Sequence, residues 1–135
     1  MSIFGGGKKD TRPVDEGLAH LLGSDENTAI EFWKKRFKLT LAVPSDIARV
    51  GALTPQIREL TRVENIEERK RLTRARIIAF AQLSPEDRQT LAATRRKAFE
   101  VDPAVLKTDQ ELVDQLLPTL DENVRSVYPK PGQAS

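Results

Sequence analysis

The sequence predicts an all-α protein, a single compact bundle of about six to eight short and medium helices, and three observations carry that expectation. Helix-start chemistry recurs along the chain: Thr54-Pro55, Ser84-Pro85-Glu86-Asp87 and Asp102-Pro103 each set a capping side chain before proline, and Thr108 and Glu111 have capping-box spacing. Apolar residues recur at three- and four-residue intervals, as in Ile30, Trp33, Phe37 and Leu41. No pair of alternating segments offers two strands a partner; "KLTLAV" at 38–43 alternates weakly, but a lone strand has nothing to bond to.

Taken in order, the signals place helices near 14–22, 26–38, 45–50, 55–82, 85–99, 103–106, 109–117 and 120–127. Ser24-Asp25 and Ser45-Asp46 supply the earlier caps. The longest helix is expected at 55–82. Ile57, Leu60 and Val63 line its first part, the charged run "EERKR" at 67–71 interrupts, and "ARIIAFAQL" is apolar nearly all round, so its C-terminal half should enter the core. Glu67 and Arg71 stand four apart, the spacing of a helical ion pair. Leu112, Val113, Leu116, Leu117 and Leu120 form a second stripe, with Pro118 bending or restarting that helix. "LTPQIREL" at 53–60 and "LSPEDRQTL" at 83–91 share a leucine, a capping hydroxyl, a proline and an arginine, which is as consistent with a duplicated unit as with repeated helix-start chemistry.

At 135 residues the chain suits one domain. Residues 1–13, with the run Gly5-Gly6-Gly7, read as a flexible lead, 14–128 as the helical domain, and 129–135 as a flexible tail. Cysteine is absent, which removes disulfides, thiolate catalysis and cysteine-based metal sites. The opening "MSIFGGGKKDTRP" has too short an apolar run for a signal peptide and nothing after it is long enough to span a bilayer, so a soluble cytoplasmic protein is expected.

Catalytic chemistry is sparse. His20 is the only histidine, so no Ser-His-Asp arrangement can be built without it, and a lone Glu16/His20 pair lacks the further ligands a transition metal requires. "GGGKK" lacks the spacing of a phosphate-binding loop. An enzyme is not expected, nor a cofactor or metal.

Charge points instead to contact. The net charge is +2, but residues 1–97 carry 19 Lys+Arg against 13 Asp+Glu, while residues 98–135 carry 3 against 7. Basic clusters lie at "KKRFK" (34–38), "RKRLTRAR" (69–76) and "RRK" (95–97). The candidate partner-binding residues are Lys34, Lys35, Lys38, Lys70, Arg71, Arg74, Arg88, Arg95 and Arg96, forming a basic helical surface for an acidic protein partner or another polyanion. Arg88 and Arg95 raise a question of their own, because they fall in the middle of a face shared with Leu91, Ala92, Ala98 and Phe99. Either their stems cover the core while their guanidinium groups meet carboxylates of the acidic 109–122 region, or they belong to a docking stripe.

The alternative is a DNA-binding regulator using a degenerate helix-turn-helix at residues 45–62, with Gly51 at the turn and Arg49, Arg58 and Arg62 as contacts. Its spacing is one residue off, since Gly51 follows Ala48 by three. Membrane-surface binding is disfavoured because the core needs Trp33 and Phe37.

Overall fold

The computed structural model describes residue 18 and residues 20–129, and among these the protein is all-helical, with no strand; residues 18, 20 and 21, the described part of the helix expected at 14–22, are helical, and six α-helices follow. The helices are α1 (Glu26–Leu41), α2 (Asp46–Thr61), α3 (Ile66–Ala81), α4 (Pro85–Val101), α5 (Pro103–Leu116) and the single turn α6 (Glu122–Arg125), with a 3₁₀ turn at Leu117–Thr119 between the last two. The expected flexible lead at 1–13, and the expected tail apart from Pro129, lie outside the described residues.

Five of the six helices begin the same way. Asp25, Ser45, Asn65, Ser84 and Asp102 each accept a hydrogen bond from the backbone N–H three residues on, satisfying a donor that the first turn leaves without a helical partner. Proline follows the cap in α4 and α5, where its missing N–H costs nothing.

Three expected boundaries are different. The long helix anticipated at 55–82 is two helices, broken at 62–65, where Arg62 and Val63 donate to Glu59 and Leu60 and Asn65 caps the next helix. A 28-residue rod would be about 42 Å long, and folding it back lets Leu60 and Leu72 share one core. The charged run 67–71 is therefore the first turns of α3, with Glu67 and Glu68 placed well for the helix dipole. The expected 45–50 helix continues through Thr54-Pro55 into α2, so Pro55 is interior; Thr54 Oγ1 donates to the Val50 carbonyl at 2.7 Å. "LTPQIREL" thus lies inside a helix while "LSPEDRQTL" starts one, and the two segments are not structural equivalents. Likewise Thr108 and Glu111 are interior to α5, because Asp102-Pro103 already starts it.

α3 is the central element. Arg74 of α3 reaches Glu26 near the start of α1, and Phe80 meets Phe37 near its end, so α1 and α3 run parallel. Their shared core holds Ala29, Ile30, Trp33 and Phe37 against Leu72, Ala75, Ala79 and Phe80. Burying aromatic and leucine side chains of this kind contributes about 1.5–3 kcal/mol each. The opposite side of α3 presents Ile77 to Leu112, Val113, Leu116 and Leu120. A third cluster joins Val50, Leu53 and Ile57 of α2 to Ala98 and Leu106. Tyr128, after α6, stacks edge-on against Phe80 with ring centroids 5.2 Å apart and ties the C-terminal segment to α3.

Candidate functional site

The cationic side chains divide into those committed to the fold and those left at the surface. On α1 the inward stripe carries Ile30, Trp33 and Phe37, which turns Lys35 and Lys38 outward. Neither has an ion pair among the described residues. Lys34 lies 3.5 Å from Glu31. Beside them Leu39 is 68 % exposed. Arg36, in the middle of the same basic run, turns to the flank and places its guanidinium 4.6 Å from the Phe32 ring centroid. Burial pushes its pKa down, as expected for a cation that loses water.

The second basic run is mostly absorbed. Arg71 donates to the carbonyls of Ser24 (2.6 Å) and Leu21 (2.8 Å) and pairs with Glu68, not with Glu67. Glu68 in turn accepts from the Gly23 N–H at 3.0 Å. Hydrogen bonding to Arg71, and then to Gly23, holds the Glu68 carboxyl below its ordinary pKa; the Glu68 bond likewise raises that of Arg71. Arg74 pairs with Glu26 at 3.0 Å, and Lys70 is half-buried. Because α1 and α3 are parallel, Lys70 lies level with the segment preceding α1 while Lys38 lies at its far end. The fold does not merge these two clusters.

On α4, Arg88 donates to the Leu83 carbonyl at 2.6 Å, closing the end of the preceding chain segment. Arg95 lies 2.8 Å from Asp109, donates to Gln110 at 2.9 Å, and places its guanidinium 5.6 Å from the Phe99 ring centroid. Both arginines therefore lean along the core and end on acceptors within the domain. The buried arc of α4 is Leu91, Thr94 and Ala98, and Phe99 is only partly covered, so the arginines flank the arc they had been expected to bisect. Arg96 is exposed.

The most buried charges lie elsewhere. Arg76 and Asp109, with side chains 6 % and 1 % exposed, form a two-pronged pair, to which Arg95 adds a third contact. Burial alone would raise the Asp109 pKa, but the charges of Arg76 and Arg95 outweigh it and hold the carboxyl below its ordinary range. For Arg76 burial again opposes the charge, and Asp109 more than restores it, with Tyr128 acting in the same direction. Neither residue was singled out from the sequence. A signal existed: at ~100° per residue Asp109 lies at the centre of the stripe Leu106, Leu112, Val113 and Leu116, and Arg76 at the centre of Leu72, Thr73, Ala75, Ile77, Ala79 and Phe80. Two opposite charges, each central to a buried stripe, are candidates for each other.

The helix-turn-helix expected at 45–62 is absent, because Ser45 caps one uninterrupted helix through Thr61 and Gly51 is helical. Its three arginines are occupied: Arg49 by the Val43 carbonyl and Asp46, Arg58 by Asp102 at 2.9 Å, and Arg62 by Glu59 at 3.0 Å. The Arg58 contact keeps the Asp102 carboxyl below its ordinary pKa. What this region does form is an open groove of about 590 Å³ between α2 and α4, lined by Ile47, Val50, Gly51 and Pro55 on one side and Lys97 and Val101 on the other.

Comparison with known proteins yields no matching family model, curated protein or solved structure. Among the described residues no group of three or more His, Cys, Asp or Glu side chains could hold a metal ion, and no helix is long and apolar enough to cross a membrane. His20 is exposed.

Proposed function

We propose that the protein acts by contact and not by catalysis, as a cytoplasmic accessory, adaptor or regulatory protein whose α1 face binds an acidic protein partner. The supporting observation is a contrast in how the cations are used. Arg71, Arg76, Arg88 and Arg95 end on acceptors inside the domain, whereas Lys35 and Lys38 stand exposed without an ion pair among the described residues, beside the exposed Leu39. Lysines around an apolar anchor supply long-range attraction and a desolvated point of contact, so affinity should fall as salt is added.

The test compares affinity purification with the wild-type chain and with Lys35→Glu/Lys38→Glu, followed by mass spectrometry and by titration of any purified partner at low and high salt. The reading expects partners with acidic surfaces that the charge-reversed chain fails to retain. Partners retained equally by both chains, or binding indifferent to salt, would contradict it. Mixed duplex DNA serves as a control for polyanions in general, since counterion release gives any phosphate-binding surface a steep salt dependence.

A further inference from the structure

We infer that the groove between α2 and α4 seats a second copy of this chain, docked about a two-fold axis with α2 against α2. Shape is the first argument. Ile47 is the most exposed large apolar residue among those described, at 84 %, and Val101 on the facing helix is 65 % exposed. One turn along α2 from Ile47 stands Gly51, where an added Cβ would meet nothing within 4 Å. A protrusion and a recess thus lie one turn apart on the same helix face. A two-fold axis between two antiparallel copies of α2 brings each Ile47 over the other Gly51, since in an isologous contact residue i meets j while j meets i.

Charge is the second argument. Lys97 and Glu100 are three residues apart on the α4 rim of the groove, with opposite signs. Reversal of direction across the axis sets Lys97 of one copy toward Glu100 of the other. Arg58, the other charged residue lining the groove, is already paired with Asp102 within the chain. Lys97 has a long 3.9 Å contact to Asp46, a carboxylate that Arg49 already engages, and its side chain is 55 % exposed, so it can turn outward to a second copy. A rim of balanced charge matches a copy of itself and offers no excess to a strongly acidic or basic ligand. The groove is also separate from the basic α1 face, because Gln56, on the side of α2 away from the groove, meets Thr40 of α1 at 3.0 Å.

Sedimentation equilibrium and light scattering on the full chain, from ~5 to ~500 µM, test the proposal. The wild-type mass should rise from 15.1 kDa toward twice that value with concentration. Ile47→Asp should hold it at the monomer value. Gly51→Arg should do the same while retaining its helical signal and, in dilute protein, melting no lower than wild type, because the new side chain enters open space in the isolated subunit. Lys97→Glu and Glu100→Lys should each weaken self-association about tenfold, and the double swap on one chain should restore it, as expected of a pair that meets across the axis. A monomer at every concentration, Ile47→Asp or Gly51→Arg assembling like wild type, or a double swap no tighter than either single change would overturn it.

Discussion

Arg76 and Asp109 face each other across the α3–α5 contact with two parallel hydrogen bonds, 3.1 Å from Nη1 to Oδ1 and 2.7 Å from Nη2 to Oδ2. They are 33 residues apart in the chain, and Arg95 of α4 joins them at the same carboxylate, so a single acidic side chain anchors three helices. The cluster carries two cations and one anion, which makes Asp109 the member whose loss leaves most unbalanced charge.

Asp109→Ala should therefore destabilise the fold by about 3–5 kcal/mol, the range for breaking a buried pair by removing one partner. That is a large part of the stability of a domain of this size. Arg76→Met leaves Asp109 its Arg95 contact and should cost less. Urea unfolding followed by circular dichroism measures both, and a loss below ~1 kcal/mol for Asp109→Ala would show the cluster to be incidental.

Acid should act through the same carboxylate. The folded-state pKa of Asp109 lies below its unfolded value, so its stabilisation is complete above about pH 5 and drains away as the pH falls through the folded value. The melting temperature of the wild type should drop steeply on the acid side. Asp109→Asn should melt lower at neutral pH and show a shallower acid limb, which a pH series of thermal melts from about 2 to 7 would reveal.

Arg71 fastens the segment before α1 to α3 by donating to Leu21, Ser24 and Glu68 together. A lysine ammonium cannot reproduce that planar fork. Arg71→Lys should cost about 1–2 kcal/mol and speed amide exchange at Gly23 and through the first turn of α1, read by hydrogen-exchange mass spectrometry. Unchanged exchange there would mean the segment is held by Leu18 and Leu21 packing alone.

Two glycines should respond in opposite directions to the same substitution. Gly23 has φ of 80°, where an alanine is strained, and Gly23→Ala should destabilise by about 1–2 kcal/mol. Gly51 is helical with open space at its Cβ, so Gly51→Ala should stabilise by about 0.5–1 kcal/mol. Paired thermal melts of dilute protein decide the point.

Helical caps and inward stripes were legible because both are short-range. The side chains of Asp25, Ser45, Ser84 and Asp102 act on a backbone group three residues away, and the period of Ile30, Trp33 and Phe37 needs only the helix itself. Boundaries were harder where signals competed. Pro55 and Thr108 resemble helix starts, yet Ser45 and Asp102 upstream had already begun helices that packing against α4 and α3 sustains. The basic runs were visible as runs, but their division into structural and exposed cations was not, since that depends on which carbonyl or carboxylate another helix brings near.

By itself, then, the sequence determined the all-helical class, the inward face of α1 and of α5, and most helix starts, because these follow from interactions within a few residues. Only the tertiary structure decided that 55–82 folds back at Asn65, that Arg76 and Arg95 converge on Asp109, and that Lys35 and Lys38 are left outside. Those outcomes rest on contacts between residues tens of positions apart, and a charge has no preferred partner until the packing of apolar faces chooses which helices meet.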